Sequence, residues 1–298
     1  MQVNAITPPK SLRKLVVIGV GLIGGSFALD LRRAGLVQQV VGVGRSVENL
    51  ERALQLGVID VASQDAAEAV QDADMVFMAT PVGQMDAVLT RIAPCLPSHA
   101  IITDAGSTKR DVVALYRKHL ADSLHRCIPA HPIAGSDLSG AAAARYSLYE
   151  GRNVVLCPLP ETSEAVTARV AALWAACGAR VAQLTAEDHD AVFAAVSHLP
   201  HLLAFAYMNS ILARGDAALC LQLAATGFRD FTRIAGSHPE MWRDIALANR
   251  DGLLGDLRAF RTELDAMIGE LEKADSAALT ARFDAASAAR VKWAKGRS

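Results

Sequence analysis

Lys14-Leu15-Val16-Val17-Ile18-Gly19-Val20-Gly21-Leu22-Ile23-Gly24 decides the fold. Five strand-forming residues run directly into a G-x-G-x-x-G turn, and a helical pattern, Ser26 to Arg33, follows it. On its own the glycine spacing is a weak signal. Between a strand and a helix the three glycines have distinct roles. Gly19 allows the tight turn, Gly21 lets the backbone approach a pyrophosphate, and Gly24 lets helix pack on strand. The helix N-terminus at Leu22 and Ile23 offers free N–H groups to the anion. The stretch therefore predicts a dinucleotide-binding α/β unit.

Outward from that turn, apolar runs recur at Val40 to Val43, Met75 to Ala79, Ile101 to Thr103, Cys127 to Ala130, Val154 to Cys157 and Arg180 to Leu184. Helical patterns separate most of them, which predicts a doubly wound, mostly parallel sheet of Rossmann type covered on both faces. Composition changes near residue 185. Fourteen of the 21 glycines and nine of the 11 prolines precede it, so the remainder reads as helices alone. The expected organisation is a flexible tail over 1–11, a dinucleotide-binding domain over 12–184 and an all-α domain over 185–298. The second part opens with a helical pattern from Glu187 to Ala213, where Pro200 should force a kink or restart beside His198 and His201. Leu257, Phe260, Leu264, Met267 and Leu271 follow a 3-4-3-4 spacing that suits either a seam between subunits or an ordinary core stripe.

Composition narrows the function classes. Thirty Lys+Arg against 31 Asp+Glu leaves a net charge of −1 with no long single-sign run, which argues against nucleic acid as a partner. Apolar residues at 52% supply a real core. No apolar run reaches the ~18 residues of a membrane span and the N-terminus has no signal-peptide pattern, so a soluble, cytoplasmic protein without a membrane partner is expected. The cysteines at 95, 127, 157, 177 and 220 are odd in number and lack ligand spacing, so they read as small buried apolar residues.

Ligands of such sheets bind at the carboxyl ends of the strands. Thr80-Pro81-Val82-Gly83 ends one run, Asp104-Ala105-Gly106-Ser107-Thr108-Lys109 another, and His131-Pro132-Ile133-Ala134-Gly135-Ser136 a third. Asp104 and Ser107 could equally be caps for the helix around Asp111, and His131 a strand-end residue before a turn. About 20 residues past the fingerprint, where an acid would accept hydrogen bonds from the ribose 2′-hydroxyl of NAD, stand Gly44, Arg45 and Ser46. Space, a guanidinium and a hydroxyl suit a 2′-phosphate, so NADP is expected to be preferred and NAD to remain usable. His198 and His201 lack a third ligand, and no metal is expected. Trp242 and Phe228 read as core of the helical part.

Five motifs, in order over roughly residues 14 to 250, resemble the prephenate/arogenate dehydrogenases of tyrosine biosynthesis. They are Gly-x-Gly-x-x-Gly-Gly-Ser, Asp104 to Lys109, His131 to Gly135, Ser197-His198-Leu199-Pro200-His201, and Gly227 to Ala235 followed by Met241-Trp242-Arg243-Asp244. The resemblance implies a nucleotide-binding domain, a helical dimerisation domain forming a homodimer, and an active site between them. It implies oxidative decarboxylation of prephenate, arogenate or both, with hydride passing to a nicotinamide. His131 would be the base or hydrogen-bond acceptor for the ring hydroxyl, and Ser107 would help hold that hydroxyl. His201 would line the site, and Arg233 would bind a substrate carboxylate. The family pattern often has Glu where Asp137 stands. Two alternatives are a 3-hydroxyacid or 6-phosphogluconate-type dehydrogenase, which generally needs a lysine absent from 187–254, and a nucleotide-sensing regulator, which would not need His131, Ser107 and Arg233 together.

Overall fold

The computed structural model describes residues 10–135 and 138–296. Asp137 and most of the tail expected over 1–11 lie outside the described residues. The chain begins β1 (Leu12–Ile18), α1 (Leu22–Arg33), β2 (Val37–Val43), α2 (Val47–Gln55), β3 (Val61–Ser63), α3 (Ala66–Ala69), β4 (Met75–Met78), α4 (Val82–Ile92), β5 (Ile101–Asp104), α5 (Arg110–His119) and β6 (Cys127–Ile128). The six strands form a parallel sheet in the order β3-β2-β1-β4-β5-β6. Winding reverses between β1 and β4, the position where such sheets open a ligand crevice.

Strand alternation builds a core on each face. Leu15, Val17, Met75 and Phe77 point one way, and there Phe27, Phe77 and Trp174 pack ring against ring at 4.3–5.7 Å. Val16, Ile18, Val76 and Met78 point the other way, onto Met85, Leu89 and Tyr116.

The last two apolar runs do not extend this sheet, and the run before them gives it only Cys127–Ile128, as β6. Pro129 has no N–H to give the ladder, so β6 stops and the chain re-enters as β7 (Ala130–Pro132). With β8 (Asn153–Leu156) and β9 (Arg180–Gln183) it makes a separate three-stranded sheet, β7 antiparallel to β8 and β8 parallel to β9. α6 (Glu164–Ala176) joins β8 to β9. β3, only three residues long and without a buried side chain, is an addition that strand patterning does not reveal.

The helical part opens with α7 (Ala186–Phe193), a π-helical turn over Ala194–His198, and α8 (Leu199–Leu212). The expected break at Pro200 is thus absorbed without ending the helix. Pro200 cannot bond the Val196 carbonyl, and the widened turn just before it accommodates the loss. Among the described residues, Ala186–Leu212 is long and apolar enough to cross a membrane by length and composition, with a mean hydropathy of 1.5 over its most apolar stretch. That corrects the expectation from apolar runs, because Ser197, His198 and His201 interrupt the run without lowering its average enough.

α9 (Ala217–Gln222), α10 (Thr226–Thr232), a 3-10 turn at Arg233–Gly236 and α11 (Pro239–Ala248) complete a compact unit ending at Asn249. This unit joins the sheets to the first helices of the part that composition sets apart at 185. α12 (Arg250–Glu272) and α13 (Ser276–Lys295) form a second unit, a helical pair tied by Arg282 to Glu263 and Glu270. None of the five cysteines is paired; Cys127, Cys157 and Cys177 are buried as expected, whereas Cys95 and Cys220 are only half-buried.

Candidate active site

The glycine turn behaves as its spacing requires. Gly19 sits at φ +101°, and a Cβ there would come within 2.6 Å of the Ala79 carbonyl oxygen, across the switch between β1 and β4. A Cβ on Gly24 would lie 2.7 Å from Val17 Cγ1, so helix α1 meets its strand only through glycine. A Cβ on Gly21 would meet no atom within 4 Å, leaving the α1 N-terminus open for an anion. Thr80, beside Pro81 at the head of α4, has a buried hydroxyl without a hydrogen-bond partner among the described residues. An open cradle and an orphaned hydroxyl at neighbouring strand ends fit a dinucleotide.

At the end of β2 the space expected at Gly44 is bounded by the Leu50 side chain, which a Cβ there would meet at 3.4–3.9 Å, and Arg45 is exposed with no side-chain partner among the described residues. Ser46 is already engaged: its Oγ caps α2 by accepting from Asn49 N and bonds the Glu48 carboxylate at 2.8 Å.

Neither Asp104 nor Ser107 caps a helix, since α5 starts at Arg110 with no side-chain cap of its own. Asp104 is fully buried. It is ion-paired to Lys109, accepts from the N–H of Gly106 at 2.7 Å and of Ala130 at 3.1 Å, and Lys109 also donates to the Ala130 carbonyl at 2.7 Å. This polar knot fixes the end of β5 to the start of β7 and therefore places His131.

His131 lies on β7, partly open. Its Nδ1 is 2.9 Å from Nε2 of His189, whose Nδ1 is 2.8 Å from Oδ1 of Asp190. Asp190 stands at the N-terminus of α5, accepting from Lys109 N at 2.8 Å, Arg110 N at 3.0 Å and Arg110 Nε at 3.2 Å. Asn249 closes the cluster, donating from Nδ2 to the Asp190 carbonyl at 2.7 Å, with His198 Nδ1 3.2 Å away, and accepting from Arg110. His189, Asp190 and Asn249 are functional neighbours that sequence reasoning missed. The run Asp188-His189-Asp190, opening the helical part just after a strand, is the signal that could have found the first two.

Burial pushes His131 well below the usual imidazole range, and nearby His189, Lys109 and His198 push it the same way. Burial likewise lowers His189, although its bond to Asp190 opposes this, and takes His198 down to about 4. Asp190 itself ends below the carboxylate norm: burial would raise it, but the donated hydrogen bonds from His189, Arg110 and Lys109 outweigh that.

The remaining candidates gather on the helical side. His201 bonds the Ser197 carbonyl through Nδ1 at 2.9 Å and stacks on Trp242 at 3.5 Å between centroids. Trp242 is thus buried as expected, yet it also braces a site residue. Burial lowers His201, with the Ser197 carbonyl opposing and the nearby Arg233 charge reinforcing. Arg233 is exposed at the head of its 3-10 turn and makes no ion pair among the described residues. The Ser107 backbone faces His198 and acts to raise its pKa. Neighbour by neighbour, His131 is influenced by His198, His198 by the Ser107 backbone and His201, and His201 by Arg233.

A family model described as prephenate dehydrogenase, nucleotide-binding domain, matches residues 27–183, and one described as prephenate dehydrogenase, dimerization domain, matches residues 185–285. The chain is 35% identical over 274 residues to a prephenate dehydrogenase of Bacillus subtilis, covering 91% of this chain and 74% of the relative. It is 32% identical to a cyclohexadienyl dehydrogenase of Zymomonas mobilis, covering 87% and 90%. Among solved structures, prephenate dehydrogenase of Aquifex aeolicus in complex with hydroxyphenyl propionate and NAD+ superposes with a TM-score of 0.88 at 31% identity, covering 95% of this chain and 98% of that one. Synechocystis arogenate dehydrogenase gives 0.79 at 30% identity, covering 94% and 99%. The glycine fingerprint, the strand-end histidine and the helical half thus sit in one recognised frame, and the chain belongs to the prephenate dehydrogenase family.

Proposed function

We propose that this protein is a nicotinamide-dependent dehydrogenase that oxidatively decarboxylates prephenate, arogenate or both, in tyrosine biosynthesis. The observation that carries the reading is His131: a strand-end imidazole, held neutral by its surroundings, with Nδ1 engaged and Nε2 without a partner among the described residues. A bound nicotinamide, its pyrophosphate held at the turn of Gly19 and Gly21, would supply the hydride acceptor for the hydroxyl-bearing ring carbon. His131 Nε2 accepts the hydroxyl proton as that carbon becomes a carbonyl, a transfer suited to an unprotonated imidazole at neutral pH. Loss of the ring carboxylate as carbon dioxide then restores aromaticity, and the borrowed proton returns to the oxygen. Ser107 holds the hydroxyl, His201 lines the pocket against Trp242, and the exposed Arg233 meets a substrate carboxylate through its planar fork.

The cofactor assignment is NADP preferred, with NAD usable. Gly44 puts no carboxylate in the way of a 2′-phosphate, and because Ser46 is committed to Asn49 and Glu48, Arg45 carries the preference. The assembly is a homodimer through the helical half. Support comes from the match to a dimerization-domain model and from the apolar side chains that the helices leave uncovered, including Val192, Val196, Leu212, Leu264 and Leu271. The test is a steady-state assay at 340 nm of both substrates with both cofactors. Turnover with neither substrate overturns the reading.

A further inference from the structure

His131, His189 and Asp190 form a continuous hydrogen-bonded line whose proton positions follow from the donors around it. Both oxygens of Asp190 face N–H groups that can only donate: Lys109 N and Arg110 N and Nε. A carboxylate so surrounded is ionised, so the His189 Nδ1 facing it carries the hydrogen. His189 is fully buried, and its other nitrogen is then a lone pair. That lone pair points at His131 Nδ1 across 2.9 Å, where a second lone pair would repel it, so His131 Nδ1 carries a hydrogen. Only Nε2 of His131 remains as an acceptor.

We propose that His189, oriented by Asp190, is a positioning residue that fixes His131 in the tautomer whose Nε2 accepts the substrate's hydroxyl proton and supports the charge the ring then bears. The inference rests on the functional reading above and adds the group that makes it work. The step balances. The O–H proton passes to Nε2, hydride leaves the same carbon with two electrons for the nicotinamide, and the electron pair of the breaking ring–carboxylate bond enters the ring as carbon dioxide departs. The proton on Nε2 returns to the resulting oxyanion, so no proton is consumed overall. A line that ends in a buried carboxylate suits a loan of this kind, because it stabilises the imidazolium without carrying its proton to solvent.

Titratable groups frame His131: His189, Lys109 and His198 all disfavour its protonation, and Asp104, paired to Lys109, accepts from the N–H of the preceding residue, Ala130. Against that field, the Asp190 charge relayed through His189 is the favourable contribution on the ring's far side.

The experiment compares His189→Phe, His189→Gln and His131→Ala with the wild-type enzyme. Melting temperature and NAD binding verify folding. Phe keeps the ring volume but accepts no hydrogen bond, so kcat should fall on the order of a hundredfold while KM moves within a few-fold. Gln presents an amide oxygen to His131 Nδ1–H and should recover most of that loss. His189→Phe with kcat near wild type, while His131→Ala is inactive, overturns the positioning role and leaves the base intact. If His131→Ala turns over normally, the base assignment and this inference fall together. Should His189→Phe not fold, nitrogen-15 NMR of wild-type histidines decides: His131 protonated at Nδ1 and bare at Nε2 supports the proposal, and the opposite tautomer refutes it.

Discussion

Lys109 and Asp104 form an ion pair with no access to water: both side chains are fully buried, and each has further partners in the backbone of β7 and its approach. Such a pair adds little net stability over apolar packing, but half of it is costly to leave behind. Lys109→Met should destabilise by about 3–5 kcal/mol in urea unfolding, because the Asp104 carboxylate then stays buried without its cation. Adding Asp104→Leu should return part of that loss. A single variant as stable as wild type would show that the pair does not organise the β5–β7 junction.

Acid should unfold this protein through its histidines before its carboxylates. His198 titrates near 6.5 when unfolded and at about 4 when folded, so the unfolded chain binds the extra proton in between. The stability gained by keeping that ring neutral is complete above about 6.5 and is lost as pH falls toward about 4. His131, His189 and His201 are displaced in the same direction. Asp104 opposes them, its carboxyl being raised by burial despite Lys109. Melting temperature should therefore drop steadily from pH 7 to pH 4.5, and His198→Asn should flatten the slope. A pH-independent melting curve over that range contradicts the buried-neutral assignment.

The fingerprint and the alternation of apolar runs made the parallel sheet legible because both are local. A strand writes its own pattern, and Gly19 and Gly24 answer to contacts within a few residues or one neighbouring strand. Pro129 was also in plain view, but its consequence, a second sheet, depends on which partner β7 finds, and that partner lies more than 20 residues away. As candidates, His131, His201 and Arg233 were legible from motifs. His189 and Asp190 were not, since their role arises only when α7 is brought against the start of α5. Ser46 shows the converse: its place beside Arg45 suggested a phosphate contact, whereas the structure commits its hydroxyl to a helix cap.

Arg233→Ala should raise KM or lower kcat/KM by an amount equivalent to about 2–5 kcal/mol, with cofactor affinity unchanged. Arg233→Lys should recover only part, because a point charge lacks the planar fork. Unchanged kcat/KM in the alanine variant would remove Arg233 from the site.

Light scattering at micromolar concentration should give twice the 31.5 kDa chain mass. Leu264 and Leu271 are exposed along α12, and charging both with Leu→Glu should shift the mass toward that of one chain, since an interfacial apolar stripe does not tolerate paired charges. A wild-type monomer would refute the dimer.

The proposed preference for NADP rests on Arg45, whose exposed guanidinium follows Gly44 at the end of β2. A hydrogen bond to a charged group contributes roughly 1.5–3 kcal/mol, so Arg45→Ala should lower kcat/KM with NADP by about ten- to a hundredfold and leave NAD nearly unchanged. Glu48 works in the other direction. Its carboxylate, held by Ser46 close to the same turn, opposes a 2′-phosphate, so Glu48→Gln should strengthen the NADP preference. Opposite responses to removing one cation and one anion would locate the 2′-phosphate between them. A wild-type enzyme that favours NAD, or an Arg45→Ala variant that affects both cofactors equally, would place the discrimination elsewhere.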